Sequence, residues 1–150
     1  MPMNVQLREV DHGNYEQLSD LEVFAEQEDY VASNLWSLAQ AAYEPQCTAR
    51  AIYHQDQPVG LFLWHAASPH KVAIWRFMVD KQHQHQGIGR QALGLLLEEL
   101  RRSPGLTQVE ICYNPENPLA APFYASFGFQ EQGMDQDNED MLALLQLPVA

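Results

Sequence analysis

The segment QHQGIGRQAL, residues 84–93, places Gly87 and Gly89 at the point where an amphipathic helix begins. Leucines then recur at helical intervals, at positions Leu93, Leu96, Leu97 and Leu100. The preceding run, KVAIWRFMVD, is typical of a strand. A helix start carries backbone N–H groups without internal partners, and glycines remove the side chains that would keep an anion away from them. The segment therefore predicts an anion-binding turn in a fold that contains both strands and helices.

Two common phosphate-binding loops do not fit this turn. A nucleoside triphosphate loop requires Gly-Lys followed by Ser or Thr, and a dinucleotide-binding fold requires GxGxxG. Neither pattern occurs in residues 84–93. An ordinary turn remains an alternative, because glycine is common beside helix ends. The turn alone does not identify its ligand.

The length and composition fit one domain over residues 1–150. This length suffices for a single core, and 46% of the residues are hydrophobic. No apolar run approaches the ~20 residues of a membrane span, and the first ten residues lack the pattern of a signal peptide. These features predict a soluble, cytoplasmic protein with no membrane partner.

Acidic residues strongly outnumber basic ones. Twenty Asp and Glu residues stand against eight Lys and Arg residues, which gives a formal net charge of −12. Nucleic acids and anionic membranes bind basic surfaces, so the charge argues against both and favours a cationic partner. Seven acids occur in residues 11–29 without a Lys or Arg: Asp11, Glu16, Asp20, Glu22, Glu26, Glu28 and Asp29. Because a solvated acidic face also aids solubility, charge alone leaves both interpretations open.

Metal and cysteine chemistry are not expected. Cys47 and Cys112 lack the CxxC spacing of a zinc site and are predicted to be small buried apolar residues. His83 and His85 form an H-x-H pair, but they lie in a loop beside the anion-binding turn and are expected to face solvent. We therefore predict no metal site.

The periodicity predicts the element order β, α, β, β, β, α, β, α, β, β. The first helix is expected over Glu28 to Tyr43, with an apolar stripe at Val31, Leu35, Leu38 and Ala42. The third helix is predicted to be capped by Asn117, with Pro118 as its first residue. Pro122 would then interrupt this helix, so a later start or a kink is expected.

The run FMVDKQHQHQGIGRQAL resembles the coenzyme A-binding motif of the GNAT superfamily of N-acetyltransferases, Q/R-x-x-G-x-G/A, through Gln84, Gly87 and Gly89. The run NPENPLAAPFYASFGF resembles a later motif of that family at Asn117, Ala120, Phe123, Tyr124, Gly128 and Phe129. The similarity spans nearly the whole chain. It implies the α/β (α+β) GNAT fold, a mixed, mostly antiparallel sheet of six to seven strands with helices on both faces. Its central parallel strands splay apart to hold acetyl-CoA.

The resemblance also implies a set of cofactor-binding residues. Phe77, Met78 and Val79 match the strand that pairs with the pantetheine arm and offers an N–H to the acetyl carbonyl. The diphosphate turn corresponds to Gln84, His85, Gln86, Gly87, Ile88 and Gly89, while Arg90 and Asn117 match further contacts. Tyr124 matches both a cofactor contact and the general acid that protonates the departing thiolate.

The residue that deprotonates the acceptor stays open at this point. An alkyl amine with a pKa of ~10.4 is about 99.9% protonated at pH 7, so forming the nucleophile costs roughly 4 to 5 kcal/mol. Glu110, on a strand beside the cleft, is a candidate base, and Glu26, Glu28 and His65 are alternatives.

Among GNAT branches the chain looks most like the bacterial spermine and spermidine acetyltransferases. That resemblance implies direct acetyl transfer from acetyl-CoA to a polyamine in a ternary complex. The small cationic amine would contact acids of the segment noted above: Glu22, Glu26, Glu28 or Asp29. The alternatives are another amine, such as a peptide N-terminus or an aminoglycoside, and a non-catalytic module that binds acyl-CoA. A homodimer is expected from the resemblance alone.

Overall fold

A computed structural model describes residues 4–28 and 33–148 of the chain. Seven strands form one sheet: β1 (Val5–Glu9), β2 (Cys47–His54), β3 (Gln57–Ser68), β4 (Lys71–Val79), β5 (Gln108–Tyr113), β6 (Gln130–Met134) and β7 (Met141–Gln146). The helices are α1 (Tyr15–Asp20), α2 (Asn34–Tyr43), α3 (Ile88–Arg101) and α4 (Ala120–Ala125), with 3₁₀ turns at Ala25–Gln27 and Lys81–His83. No helix in the described ranges has the length and apolar character needed to cross a membrane.

The sheet has the order β1-β2-β3-β4-β5-β7-β6. Strands β4 and β5 pair in parallel, and every other pair of neighbours is antiparallel. The β2–β3 hairpin turns through Gln55 and Asp56, both with positive φ (53° and 64°), which is the backbone of a type I′ turn. The predicted mixed, mostly antiparallel sheet is confirmed.

Helices cover both faces of the sheet, as predicted. On one face the leucines of α3 are buried in the main core: Leu93, Leu96, Leu97 and Leu100. Each buried leucine contributes about 1.5–3 kcal/mol relative to an exposed one, so α3 is held firmly against the strands. On the other face Leu18 of α1 packs with Leu61 and Met78 in a second core. The start of α3 therefore lies at a fixed position beside the end of β4.

The start and the inward face of α2 differ from the prediction. The helix begins at Asn34 because the Ser33 side chain caps it, accepting a backbone N–H of the first turn at 3.1 Å. Leu35 is 67% exposed, whereas Asn34 is buried and its side-chain amide donates to the Leu18 carbonyl at 2.7 Å. Of the predicted stripe, Leu38 packs against the second core, and the buried hydrogen bond of Asn34 is an additional contact that the stripe did not predict. Val31, another residue of that stripe, lies outside the described residues.

Helix α4 starts at Ala120, later than the predicted cap at Asn117. Pro122 is therefore the third residue of the helix, within the first turn, where a backbone N–H has no helical partner in any case. The later start expected from Pro122 is confirmed. Asn117 instead accepts the backbone N–H of Leu119 on its side-chain oxygen at 3.1 Å.

Candidate active site

Strands β4 and β5 separate at a bulge in β4. They pair in parallel from Lys71 with Gln108 to Ile74 with Ile111. On its other edge, β4 pairs with β3 through a register shift that leaves Trp75 opposite no residue. A bulge bends a strand and increases its twist. The described strands are not paired beyond Ile74, and a gap opens between the carboxyl ends of β4 and β5.

A cavity of about 550 Å³ lies beside the glycine turn, and we call it the turn cavity. Gly87 caps α3 with φ 84°, a conformation that favours glycine. The cavity brings together nearly all of the predicted cofactor-binding residues: Phe77, Met78, Val79, Gln84, His85, Gly87, Ile88, Gly89, Arg90, Asn117 and Tyr124. Gln86 is not among its lining residues. Backbone amides at the start of α3 thus face a cavity of the size of a small-molecule site.

Side-chain hydrogen bonds fasten the turn to the neighbouring segments. The Gln84 amide donates to the Val79 carbonyl at 2.9 Å and to the Gln27 side-chain oxygen at 2.9 Å, and the Gln27 amide donates back to Gln84 at 3.2 Å. Asp80, itself buried, accepts the backbone N–H of Glu22 at 2.9 Å. Gln84 therefore positions the turn through its side chain and joins it to the segment that precedes α2.

Arg90 lies at the edge of the turn cavity and is held by α4. Its guanidinium donates to the Ser126 hydroxyl at 2.9 Å and lies over the Phe127 ring, 5.0 Å from the ring centroid. These contacts fix the positive charge beside the start of α3, where it adds to the potential of the helix terminus.

Tyr124 lies between two cavities. Its ring is 9% exposed and packs on Tyr113, with 5.5 Å between the ring centroids, and against Phe129. Burial is the largest cause that raises the pKa of the Tyr124 phenol well above its usual value. The hydroxyl therefore keeps its proton at neutral pH and is able to donate it.

A second cavity, of about 710 Å³, meets the turn cavity at four residues that line both: Phe77, Asn117, Ala120 and Tyr124. We call it the acidic cavity, because its lining includes the carboxylates Glu28, Glu116, Glu139 and Asp140. Trp75, Arg76 and Cys112 line it as well. Two compartments of different chemistry therefore share one wall at the gap between β4 and β5.

The acids predicted to hold the acceptor occupy different places. Glu28 is exposed and lines the acidic cavity. Glu22 forms an ion pair with Lys81 at 3.3 Å and lines a smaller cavity of about 330 Å³. Glu26 is exposed and lines none of these cavities, and Asp29 lies outside the described residues. The structure places Glu28 of this set beside the gap.

Glu110 is not at the open gap, contrary to the prediction. It forms an ion pair with Lys71 at 2.8 Å, where β4 and β5 are still paired, and lines neither the turn cavity nor the acidic cavity. His65, an alternative base, stacks on Trp75 with 4.5 Å between ring centroids. Cys112 is partly exposed in the acidic cavity rather than fully buried, and burial raises the pKa of its thiol to about 11.

Three acids of the acidic cavity were not predicted from the sequence. Glu139 and Asp140 end the run DQDNED between β6 and β7, and Glu116 follows β5. Glu139 and Asp140 reach the gap because β7 pairs with β5, which sets Met141 opposite Tyr113. The density of acids in that run was the available signal, but its position depended on a strand pairing that periodicity does not determine.

Comparison with known families decides what kind of site this is. The protein-family model described as "Acetyltransferase (GNAT) family" matches residues 8–129 of the chain. The chain belongs to the GNAT family. The gap between β4 and β5, the glycine turn and the shared wall at Tyr124 are therefore parts of an N-acetyltransferase domain.

Relatives of this GNAT protein act on different acceptors. It is 25% identical over 148 residues to the "Probable spermine N(1)-acetyltransferase" of Bacillus subtilis subsp. natto (strain BEST195), covering 93% of this chain and 97% of the relative. Spermidine N-acetyltransferase from Vibrio cholerae, solved with CoA and spermine, superposes with a TM-score of 0.75 at 16% identity, over 95% of each chain. The ribosomal-protein-S18-alanine N-acetyltransferase from Escherichia coli superposes with a TM-score of 0.71 at 15% identity, over 98% of this chain and 95% of that one. These structural likenesses show a common fold.

Proposed function

We propose that this GNAT protein transfers the acetyl group of acetyl-CoA directly to a primary amine of a polyamine such as spermine or spermidine. The observation that carries the proposal is the contact between the turn cavity and the acidic cavity at Phe77 and Tyr124. Backbone amides suit a diphosphate on one side of this wall, and carboxylates suit ammonium groups on the other. The spermine acetyltransferase relative supports the same acceptor class.

The turn cavity suits acetyl-CoA, which supplies the activated thioester. Because α3 begins at Ile88, the N–H groups of its first turn lack helical partners and carry a partial positive potential, which favours phosphate. Beyond Ile74, the edge of β4 that faces the gap has no partner on β5 within the described residues. An extended pantetheine arm would satisfy the backbone groups of Phe77–Val79 along that edge.

Direct transfer fits the groups at the shared wall better than an acyl-enzyme does. The Cys112 thiol, with its pKa raised to about 11, is almost fully protonated at neutral pH and is a poor nucleophile. Tyr124 holds a proton at its phenolic oxygen and donates it to the sulfur as negative charge develops there. Phe123 and Phe129 pack against Tyr124 and exclude water from its ring.

The acidic cavity suits an acceptor with more than one positive charge. Glu28, Glu116 and Glu139 are exposed, and Asp140 is partly buried. Four carboxylates around one cavity attract a linear polyamine more strongly than a monoamine, and the attraction weakens as salt screens it.

The test is a thiol-release assay with spermine, spermidine, a peptide N-terminus and an aminoglycoside as acceptors at low salt. The polyamines are expected to give the highest kcat/KM. The double variant Glu28→Gln, Glu139→Gln is expected to raise the spermine KM about tenfold, the effect of losing roughly 1.4 kcal/mol of charge attraction. Glu16→Gln, an exposed acid of α1 that lines neither cavity, is the matched control and should leave KM unchanged.

Three outcomes would reject parts of the proposal. Acetylation of the peptide without turnover of polyamines would reassign the acceptor. Binding of acetyl-CoA without turnover of any amine would indicate a binding module. An unchanged spermine KM in the double variant would remove the carboxylates from the acceptor site.

A further inference from the structure

Arg76 is a cation in a cavity otherwise rich in acids. Its Nη1 donates to the Trp75 carbonyl at 2.9 Å, and its Nε is buried without a hydrogen-bond partner in the described part of the chain. Among the described residues no carboxylate forms an ion pair with it. A guanidinium is a cation, so the acidic cavity, as far as the structure describes its residues, contains a positive charge without a paired anion.

The charges of the acidic cavity are ordered from its mouth inward. Glu28, Glu116 and Glu139 are exposed, which places them at the mouth. Arg76 is partly buried, as is Asp140, and directly precedes Phe77, one of the residues that separate the two cavities. A linear polyamine that enters therefore keeps its outer ammonium groups among carboxylates and brings the primary amine at its inner end toward a guanidinium.

We propose that Arg76 makes the primary amine at the inner end of the bound polyamine a neutral nucleophile by repelling its protonated form. This inference rests on the proposed function. A like charge within about 4–6 Å lowers the pKa of an amine, by up to roughly 1–3 units. Glu110 is then not required as a general base, because the proton of the ammonium group passes to water as the amine binds. This role is consistent with the ion pair that holds Glu110 away from the gap.

The transfer then balances without a further reactant. The neutral nitrogen forms the new N–C bond as the C–S bond breaks. The sulfur takes the phenolic proton of Tyr124, and a proton of the new amide nitrogen returns to that phenol through solvent. The products are the acetylated amine and the CoA thiol.

Other titratable groups lie on the elements packed around Arg76. They are Glu28 before α2, Cys47 and His65 on β2 and β3, Glu110, Cys112 and Tyr113 on β5, Glu116 and Tyr124 near α4, and Asp135, Glu139 and Asp140 before β7. Burial raises the pKa of the Asp140 carboxyl, Asp135 raises it further, and Arg76 lowers it. The carboxylates oppose the field of Arg76, and solvent screens the exposed ones, Glu28, Glu116 and Glu139, more strongly than the partly buried guanidinium.

Calorimetry of spermine binding to the complex with CoA tests the proposal without turnover. Proton release is measured at pH 8.5 in buffers that differ in ionisation enthalpy. At that pH a nitrogen whose pKa is lowered by about two units from ~10.4 releases about half a proton on binding. Arg76→Gln is expected to release almost none, and Arg76→Lys is expected to resemble the wild type. Release of no proton by the wild type would overturn the proposal whatever the variants do.

Kinetics distinguish this role from that of a residue that only binds a carboxylate of the acceptor substrate. Arg76→Gln is expected to move the acidic limb of kcat, which reports the bound amine, up by about two pH units and to lower kcat about 10²-fold at pH 7, with an unchanged or lower spermine KM. A structural role or an anchoring role would raise KM and leave the limb in place. Asp140→Asn is a second variant, and it should move the limb down, because less negative charge opposes Arg76.

Failure of the inference and failure of the proposed function give different results. If the wild type acetylates no amine, the proposed function fails. If it acetylates polyamines while Arg76→Gln and the wild type share one pH profile and one proton release, the function stands and the role of Arg76 is rejected.

Discussion

Gly60 provides a test of how closely β3 and β4 must pack for the shared wall to work. It lies on β3 opposite Val79, and a Cβ added to it would lie 2.4 Å from the Met78 carbonyl oxygen and 3.0 Å from the Ile52 side chain. Cβ atoms essentially never approach a neighbour more closely than 3.0 Å, so Gly60→Ala requires a backbone displacement of at least 0.6 Å, the difference between 3.0 and 2.4 Å. The displaced atoms belong to β4, not to a flexible side chain.

The displacement has a cost in stability and a cost in activity. Overpacking of a buried position destabilises proteins by about 1–3 kcal/mol, and we expect the free energy of unfolding of Gly60→Ala to fall within that range. The displaced segment, Phe77–Val79, is also the edge that we propose pairs with the cofactor. A misplacement near 1 Å reduces catalysis by up to about 10²-fold, so we expect kcat/KM to fall by about tenfold or more.

Urea unfolding followed by circular dichroism and the thiol-release assay measure the two effects. Gly94→Ala is the matched control, because a Cβ at Gly94 on α3 meets no atom within 4 Å. Replacing this helical glycine is expected to raise the free energy of unfolding by up to about 1 kcal/mol and leave kcat/KM unchanged. If Gly60→Ala kept the wild-type free energy of unfolding and the wild-type kcat/KM, the close contact between the strands would not constrain the site.

Three further predictions concern the glycine turn, Tyr124 as the general acid, and the stability of the fold at alkaline pH. Gly87→Ala places a Cβ on a residue with φ 84°, which costs about 1–2 kcal/mol of stability. The variant should raise the KM for acetyl-CoA more than the KM for spermine. Equal changes in the two KM values would argue against the turn as the diphosphate site. Tyr124→Phe should lower kcat about 10²-fold with an unfolding midpoint close to that of the wild type, and an unaltered kcat would exclude Tyr124 as the acid. Burial raises the pKa of Tyr113 to about 12, above the ~10 of the unfolded chain. The protonated Tyr113 phenol therefore makes its full contribution to the free energy of unfolding below about pH 10, and this contribution is lost as the pH rises toward 12. A urea midpoint that stays constant over that interval would contradict it.

The features that could be predicted from the sequence depend on neighbours in the chain. The turn at Gly87 follows a strand and starts a helix within ten residues, so its backbone amides lie together whatever the rest of the fold does. Pro122 likewise indicated the late start of α4 through its own missing N–H. Local rules of this kind predicted the turn itself, whereas the resemblance to the GNAT family implied most of the other residues of the turn cavity.

The acidic cavity could not be predicted because its residues are distant in sequence. Glu28, Glu116 and Asp140 meet through the pairing of β7 with β5 and through the splay at Trp75. Glu110 illustrates the same limit, as a residue that was predicted to lie at the gap and does not. Its strand was predicted correctly, but whether it faced the open or the closed end of the gap depended on where pairing with β4 stops, at Ile74.

The turn cavity and the acidic cavity are built from different parts of the fold. The turn cavity rests on backbone groups of a strand and a helix, whose positions follow from the packing of the core. The mouth of the acidic cavity consists of side chains on connecting segments, including Glu28, Glu116 and Glu139. Such segments tolerate substitution better than core elements do. Under the function that we propose, a lineage with this scaffold exchanges one acceptor for another through a few surface substitutions, while the donor site, built from core elements, is retained.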